Sequence, residues 1–287
     1  MSNISGIRDH IKSIQQTVQI SNAQKLIAGA QIIKAHKALE RSQMFHDRIR
    51  NAAASILGDC ETQNKYLDTD QETKKRGLLI FTADKGLSGG YNHNIMKLAA
   101  KTTAEKPIAK LLVAGRVGYG KYMRQDLPLD REFKYPVENP ALQTAREMAE
   151  RMISMYENDE VDSIDVIYTT FKTAAHMYPT LERLLPLSPE TLGTPKEHFA
   201  EYIPSADEVL EILIPEYLKG YLFGCLVQAW ICELSSRVSA MDGAIKNGNE
   251  MLAKLSLEYN RSRQSAITQE ISEIVAGATS MEEDEEI

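Results

Sequence analysis

The sequence predicts an α/β protein in which a long antiparallel two-helix coiled coil, made from both ends of the chain, joins a central Rossmann-like α/β domain. Two proline-free segments, residues 4–57 and 216–280, predict the long helices, because proline breaks helix interiors. Nine of the ten prolines fall between Pro107 and Pro204, where short apolar runs alternate with helical patterns. That alternation is typical of an α/β domain.

Residues 1–58 are assigned to the N-terminal helix. Its first apolar residues recur at steps of three and four: Ile4, Ile7, Ile11, Ile14 and Val18. This heptad period keeps one stripe facing a partner helix. We expect a phase slip near Ile20, and the stripe to resume at Ala23, Ile27 and Ala30 and continue through Phe45, Ile49, Ala52 and Ile56. Gly58 and Asp59 predict the end of a helix about 80 Å long.

The C-terminal helix is assigned to residues 208–281 and is followed by an acidic tail, 282–287. Proline suits the first turn of a helix, so Pro215 is expected at the start. Its heptad stripe comprises Met241, Ile245, Gly248, Leu252, Leu255 and Tyr259. Interior glycines cost roughly 1 kcal/mol each relative to alanine, so Gly220, Gly224, Gly243 and Gly248 suggest close approach of another backbone. The alternative is that these glycines lie in a long surface helix and contact no other backbone.

The two helices are joined through the central domain, so an antiparallel hairpin is the simplest way to bury both stripes. The second helix is the longer one. Its apolar end is therefore expected to project beyond the first helix, and it contains Ile267, Ile271, Ile274 and Val275. An exposed apolar helix end predicts that other protein chains surround it.

The central domain is assigned to residues 77–205. Residues 78–81, 111–113 and 164–171 read as strands, and residues 141–156 as an amphipathic helix. Strands separated by helices at this spacing predict a largely parallel sheet.

Charge is distributed unevenly along the 287 residues. The net charge is −7, which argues against a general nucleic-acid binder. Residues 1–57 nevertheless carry eight basic and three acidic side chains, while residues 282–286 are all acidic. This separation indicates a long surface made for a partner, and the tail is either a solvated end or a regulatory contact.

The sequence predicts neither a secretory signal nor a membrane span. The most apolar run, residues 220–232, is too short to cross a bilayer. Cys60, Cys225 and Cys232 form no zinc pattern, and the last two are expected to be small apolar packing residues in a reducing compartment. The chain is therefore expected to be cytosolic or peripheral on a membrane assembly.

Two glycine-containing loops are the candidates for chemistry. The loop at 84–92 follows the first strand, and the loop at 115–121 has the spacing of a phosphate-binding loop but Tyr122 where Ser or Thr is required. A nucleotide-dependent enzyme built on these loops, or an unrelated coiled-coil scaffold, is the alternative to a partner-binding protein. No catalytic residue, cofactor or metal ligand is assigned.

Three segments carry a resemblance to a known family. The stretch at 257–278, LEYNRSRQSAITQEISEIVAGA, resembles the C-terminal signature of the gamma subunit of F-type ATP synthases. The stretch at 81–92, FTADKGLSGGYN, and the motif from Glu233 to Asn247 are similar to two other segments of that family, and the N-terminal helix is similar to a fourth. The resemblance spans residues 4–281.

The resemblance implies the rotor shaft of that complex. Its partners would be three alpha and three beta subunits, the epsilon subunit and the membrane c-ring, with no nucleic acid and no membrane insertion, at the cytoplasmic face of a bacterial cell membrane. Contacts with alpha and beta would involve Lys25, Arg237, Arg261, Arg263, Gln264, Ile267, Ile271 and Ile274. Contacts with the c-ring and epsilon would involve Phe199 and Tyr202. The N-terminal helix is less basic than the family pattern, because it carries Gln19, Gln24 and Gln31.

Overall fold

The computed structural model describes residues 2–59, 65–67, 75–188, 192–193, 202–203 and 205–285, without the side chains of 2, 3, 45, 46, 58, 59 and 277–285. Contacts divide the chain into two units. The helical unit contains residues 1–27 and 239–287, and the α/β unit contains residues 28–238. Phe199, Cys60 and the end of the acidic tail, 286–287, lie outside the described residues.

Helix α1 runs from Ser2 to Asp59, as its sequence predicts. One row of less exposed positions keeps an alternation of three and four residues along the helix: 4, 7, 11, 14, 18, 21, 25, 28, 32, 35, 39, 42, 49, 53 and 56, with the side chain of 46 undescribed. Further less exposed positions lie beside this row from 24 onward, and every position from 49 to 57 is less exposed. The expected phase slip is therefore wrong. Ile20 and Ile27 are exposed, and the stripe passes instead through Ser21 and Ala28. Small residues continue the seam because they let a second helix approach closely.

Helix α5 runs from Ala206 to Glu285 and begins earlier than Pro215 predicts. Ser205 caps its first turn, since its hydroxyl oxygen accepts the backbone N–H of Glu208 at 3.3 Å. The pair forms the Ser-x-x-Glu capping pattern, a start signal that outweighs the proline. Pro215 lies inside the helix. At the other end the helix continues four residues beyond the predicted 281.

Four strands form one sheet in the α/β unit. They are β1 (Arg76–Phe81), β2 (Lys110–Ala114), β3 (Ser163–Thr173) and β4 (His176–Leu185). The order is β2-β1-β3-β4, with β1 parallel to β2 and β3, and β3 antiparallel to β4. The largely parallel sheet is as expected, but β4 was not anticipated. Pro179 weakens its strand signal, and a sheet accommodates proline at an edge.

Helices cover both faces of this sheet. They are α2 (Tyr91–Glu105), α3 (Arg116–Tyr122) and α4 (Leu142–Glu157), together with the first part of α5. Leu78 and Ile80 pack on the side of α2, while Leu79 and Phe81 pack with α4 and α5. Both faces of β1 are buried, which explains why its sequence is continuously apolar.

Candidate partner-binding surface

The helical unit is an antiparallel helix pair held by small residues. Val18 lies against Gly248, and Lys25 forms an ion pair with Asp242. A Cβ at Gly248 would stand 2.5 Å from Val18 Cγ2, so only glycine fits at this distance. In α5 the less exposed positions match the predicted heptad stripe from Met241 to Tyr259 and continue to Ala266. The inference of close approach thus holds at Gly248, whereas nothing lies within 4 Å of a Cβ at Gly243.

The end of α5 carries an apolar surface that α1 does not oppose. Since Val18 lies against Gly248 and the helices are antiparallel, Ser2 is opposite the region of Gln264. Every described side chain after Ala266 is exposed. Ile267 is 43% exposed, Ile271 57% and Ile274 71%. Fully burying an exposed isoleucine contributes roughly 1.5–3 kcal/mol, so a protein that covers the exposed part of these three side chains gains a fraction of that from each.

Polar and cationic side chains precede this apolar end. Arg261, Arg263 and Gln264 are all exposed, and the two arginines form no ion pair among the described residues. Arginine binds carboxylates through two parallel hydrogen bonds, so this segment suits an acidic partner surface. Lys25 differs, because the Asp242 carboxylate already neutralises its ammonium group.

Arg237 lies in the α/β unit and points inward. Its guanidinium donates to the carboxylate of Glu233 and, over 3.0 Å, to the carbonyl oxygen of Gly86. Arg237 is 7% exposed and Glu233 5%. Burial raises the pKa of Glu233 above its ordinary value, although the hydrogen bond from Arg237 opposes that shift. The geometry gives Arg237 an internal role, tying α5 to the loop after β1, and its contact with a partner stays a prediction.

Tyr202 is half-buried in the α/β unit, and its hydroxyl lies 3.4 Å from the hydroxyl of Ser55. Its predicted companion Phe199 lies outside the described residues. Sequence reasoning also missed an exposed apolar group on α1. Ile20, Leu26 and Ile27 are 62%, 73% and 54% exposed. The predicted phase slip lies at Ile20 and the predicted stripe includes Ile27, although both are offset from the register that Ile4 to Val18 begin, and that offset was the available signal.

The carboxylate at the start of the loop after β1 binds backbone N–H groups of other segments. Asp84 Oδ2 accepts the backbone N–H groups of Val137 and Glu138, both at 2.7 Å, and Oδ1 accepts that of Arg116 at 3.1 Å. The amides that this carboxylate binds belong to Arg116, Val137 and Glu138, in two segments outside the loop, and Asp84 joins the loop to both. This loop is a structural junction.

The second loop is internally satisfied. Four successive N–H groups, from Gly115 to Gly118, all donate within the domain. Their acceptors are Tyr135 O, Asp84 Oδ1, Ala83 O and Thr82 Oγ1, at 2.9, 3.1, 3.0 and 3.0 Å. Gly115 has φ 93°, and a Cβ there would lie 2.1 Å from the Thr82 carbonyl oxygen. Gly115 and Gly118 allow close packing against Thr82, whereas nothing lies within 4 Å of a Cβ at Gly120. None of the amides of residues 115–118 is available to a nucleotide phosphate.

Helix α5 also occupies the crevice at the carboxyl ends of β1 and β3, where doubly wound folds usually bind ligands. Cys232 Sγ donates to the carbonyl oxygen of Thr169 at 3.4 Å, and burial raises the pKa of this thiol to about 12. Cys225 and Cys232 are both buried and unpaired, as expected of packing residues.

In the described chain, no helix combines the length and apolar character needed to traverse a bilayer.

A paired-helix unit with an unopposed apolar end, joined in sequence to an α/β unit whose second glycine loop is satisfied internally, is the arrangement of a partner-binding subunit. A family model described as ATP synthase matches residues 3–281. The chain is 39% identical to the ATP synthase gamma chain of Ruminiclostridium cellulolyticum, covering 98% of this chain and 99% of that one. It is 38% identical to that of Acetivibrio thermocellus, covering 98% and 100%. The chain therefore belongs to the ATP synthase gamma-chain family.

Solved structures agree in fold. A chain of the Euglena gracilis mitochondrial ATP synthase, in an assembly of OSCP, F1 and c-ring, superposes with a TM-score of 0.74 at 17% identity. The match covers 100% of this chain and 97% of that one. A chain from the central stalk and c-ring of the Tetrahymena thermophila enzyme gives a TM-score of 0.59 at 20% identity, covering 78% and 99%.

Proposed function

We propose that this chain is the central rotor subunit of an F-type ATP synthase, coupling ion flow through a membrane ring to ATP synthesis or hydrolysis in an alpha–beta head. It performs no catalysis itself, and the catalytic sites belong to the head. The observation that carries the proposal is the exposed isoleucine surface at the end of α5, beyond the reach of α1. A sleeve of alpha and beta subunits would bury it.

The contact assignments follow from charge and exposure. Ile267, Ile271 and Ile274 would turn inside an apolar bearing at the top of the head. Arg261, Arg263 and Gln264 would meet acidic and polar loops of beta. Lys25 would reach beta only by exchanging Asp242 for a beta carboxylate. Such an exchange costs little, because exposed ion pairs contribute about 0–1 kcal/mol.

The α/β unit would sit at the membrane end of the complex. In this arrangement Phe199 and Tyr202 would face the c-ring and epsilon, and the chain would lie peripherally on the cytoplasmic face of a bacterial cell membrane. The same proposal assigns residues 1–58 and 208–281 to the rotating helical shaft and residues 77–205 to the globular part of the subunit near the membrane.

Deleting residues 282–287 tests whether the acidic tail makes a regulatory contact. A changed ATPase rate supports that contact, while an unchanged rate and an unchanged salt dependence discard it.

Co-purification with alpha and beta subunits tests the proposal. The tagged chain alone should hydrolyse no ATP, and together with alpha and beta it should form a stable ATPase. A photo-reactive group on the Ile271→Cys variant, made in a Cys60→Ser background, should crosslink to alpha or beta in the assembled complex. The same group at Lys121→Cys, on the exposed face of α3, is the matched control and should not. Failure to recover alpha and beta, or no crosslink from position 271, would overturn the proposal.

A further inference from the structure

A cleft lies at the carboxyl ends of β1 and β2, on the other side of β1 from the crevice that α5 fills. We call it the β1–β2 cleft, and its volume is about 350 Å³. It is lined by Asp84, Val113, Gly115, Arg116, Tyr119, Gly120, Lys134, Tyr135 and Pro136. Ligand sites in open α/β sheets are found at this end of the strands. The contacts proposed above for the rotor role do not use it.

Two aromatic rings form fixed walls of the cleft. Tyr119 is half-buried, and its hydroxyl donates to the carbonyl oxygen of Arg131 at 3.2 Å. Tyr135 is also half-buried and packs edge-on against Phe133, with ring centroids 4.8 Å apart. Val113 is fully buried at the floor. Rings held in place by their own neighbours offer a flat ligand a surface that needs no further ordering.

The rim of the cleft is positive. Arg116 and Lys134 are both exposed, and neither forms an ion pair with any carboxylate in the described part of the chain. Lys134 Nζ lies 5.4 Å from the centre of the Tyr119 ring, so the cation stands directly over an aromatic wall. The one carboxylate in the lining, Asp84, is occupied by three backbone N–H groups. The two cations are therefore available to a negatively charged ligand.

The internal hydrogen bonds of the backbone N–H groups limit the kind of anion that the β1–β2 cleft can bind. Because the amides of residues 115–118 all have internal acceptors, a polyphosphate would find no backbone cradle here. Recognition must come from side chains: two cations at the rim and two aromatic faces in the wall. That combination suits a planar ring bearing one anionic group.

We propose that the β1–β2 cleft is a binding site for a small aromatic anion, such as an aryl phosphate or aryl carboxylate. The ring lies against Tyr119 and Tyr135, and the anionic group lies between Arg116 and Lys134. A bound molecule joins the start of α3 to the segment at 134–136 and stabilises the α/β unit, because it binds only the folded state.

Ligand-detected NMR on the full chain tests the site with phenyl phosphate as the probe. We expect a dissociation constant on the order of 1 mM for so small a ligand. Nuclear Overhauser contacts should join its ring protons to Tyr119 or Tyr135. Inorganic phosphate lacks the ring and benzyl alcohol lacks the charge, so each should bind at least about tenfold more weakly. Benzylamine has the opposite charge and should not bind.

Two variants and a matched control localise the binding. Arg116→Gln and Lys134→Gln should each weaken phenyl phosphate binding about tenfold, since each removes one charge-assisted hydrogen bond. Lys121→Gln removes an exposed cation of the same helix that does not line the cleft, and it should leave binding unchanged. Absence of binding by phenyl phosphate at millimolar concentration would overturn the proposal. So would equal weakening by Lys121→Gln, or inorganic phosphate binding as tightly as the aryl ester.

Discussion

Gly248 gives the sharpest prediction about the helical unit. Replacing Gly248 with alanine would place a Cβ 2.5 Å from Val18 Cγ2, a distance that carbon atoms do not tolerate. Valine in a helix strongly prefers one χ1 rotamer, so Val18 cannot rotate away cheaply. The helices must separate locally or the valine must leave its preferred rotamer.

The size of the effect follows from comparison with Gly243 on the same helix. Nothing lies within 4 Å of a Cβ at Gly243, so Gly243→Ala should gain the full helix-propensity difference, about 1 kcal/mol. Gly248→Ala has the same intrinsic gain but adds an overpacking cost of about 1–3 kcal/mol. The two variants should therefore differ by about 1–3 kcal/mol in local stability. Adding Val18→Ala to Gly248→Ala should remove most of that difference.

Hydrogen exchange of the full chain, measured by mass spectrometry, reports this stability locally. Peptides covering residues 10–25 and 241–256 should exchange more slowly in Gly243→Ala than in the unmodified chain, and faster in Gly248→Ala than in Gly243→Ala. The double variant Val18→Ala with Gly248→Ala should regain protection relative to Gly248→Ala alone. If alanine at 248 slows exchange as much as alanine at 243, the close helix contact described above is wrong.

Further predictions concern the α/β unit, whose unfolding the fluorescence of the single, buried Trp230 reports. Asp84→Ala leaves three backbone donors without an acceptor and should cost about 3 kcal/mol, whereas the exposed Asp126→Ala should change little. Asp165→Asn removes the buried charge that pairs with two arginines and should cost about 3–5 kcal/mol. Cys232, with a pKa of about 12 against an ordinary value of 9.0, should be alkylated roughly 1,000-fold more slowly at pH 8 in the folded chain than in urea, by peptide mapping. Because the unfolded thiol loses its proton first, its contribution to stability should be complete below about pH 9 and decline as the pH rises toward about 12.

The heptad pattern shows what a sequence can predict and where it fails. In α5 the stripe from Met241 to Tyr259 was correct, because apolar residues there mark the seam directly. In α1 the apolar residues Ile20 and Ile27 suggested a phase slip, but the seam runs through Ser21 and Ala28. Hydrophobicity identifies burial only when a helix has one apolar face. This helix has apolar residues on a second face as well.

The α/β unit was predicted in its main parts. Continuous apolar runs identified the three parallel strands, while Pro179 obscured β4 and Ser205 was overlooked as the cap of α5. The two glycine loops could not be judged from spacing. Whether the amides of the second loop are free depends on groups such as Asp84 and Thr82, which reach them from the segment that follows β1.

The sequence by itself determined the two long helices, the parallel strands and the apolar end of α5, because each depends on a local period or on composition. Only the tertiary structure decided which charges are available. It ties Arg237 to the carbonyl oxygen of Gly86, pairs Lys25 with Asp242, and leaves Arg116 and Lys134 at the rim of a cleft. The physical reason is that an ion pair depends on distances between residues far apart in the chain, and no local pattern encodes those distances.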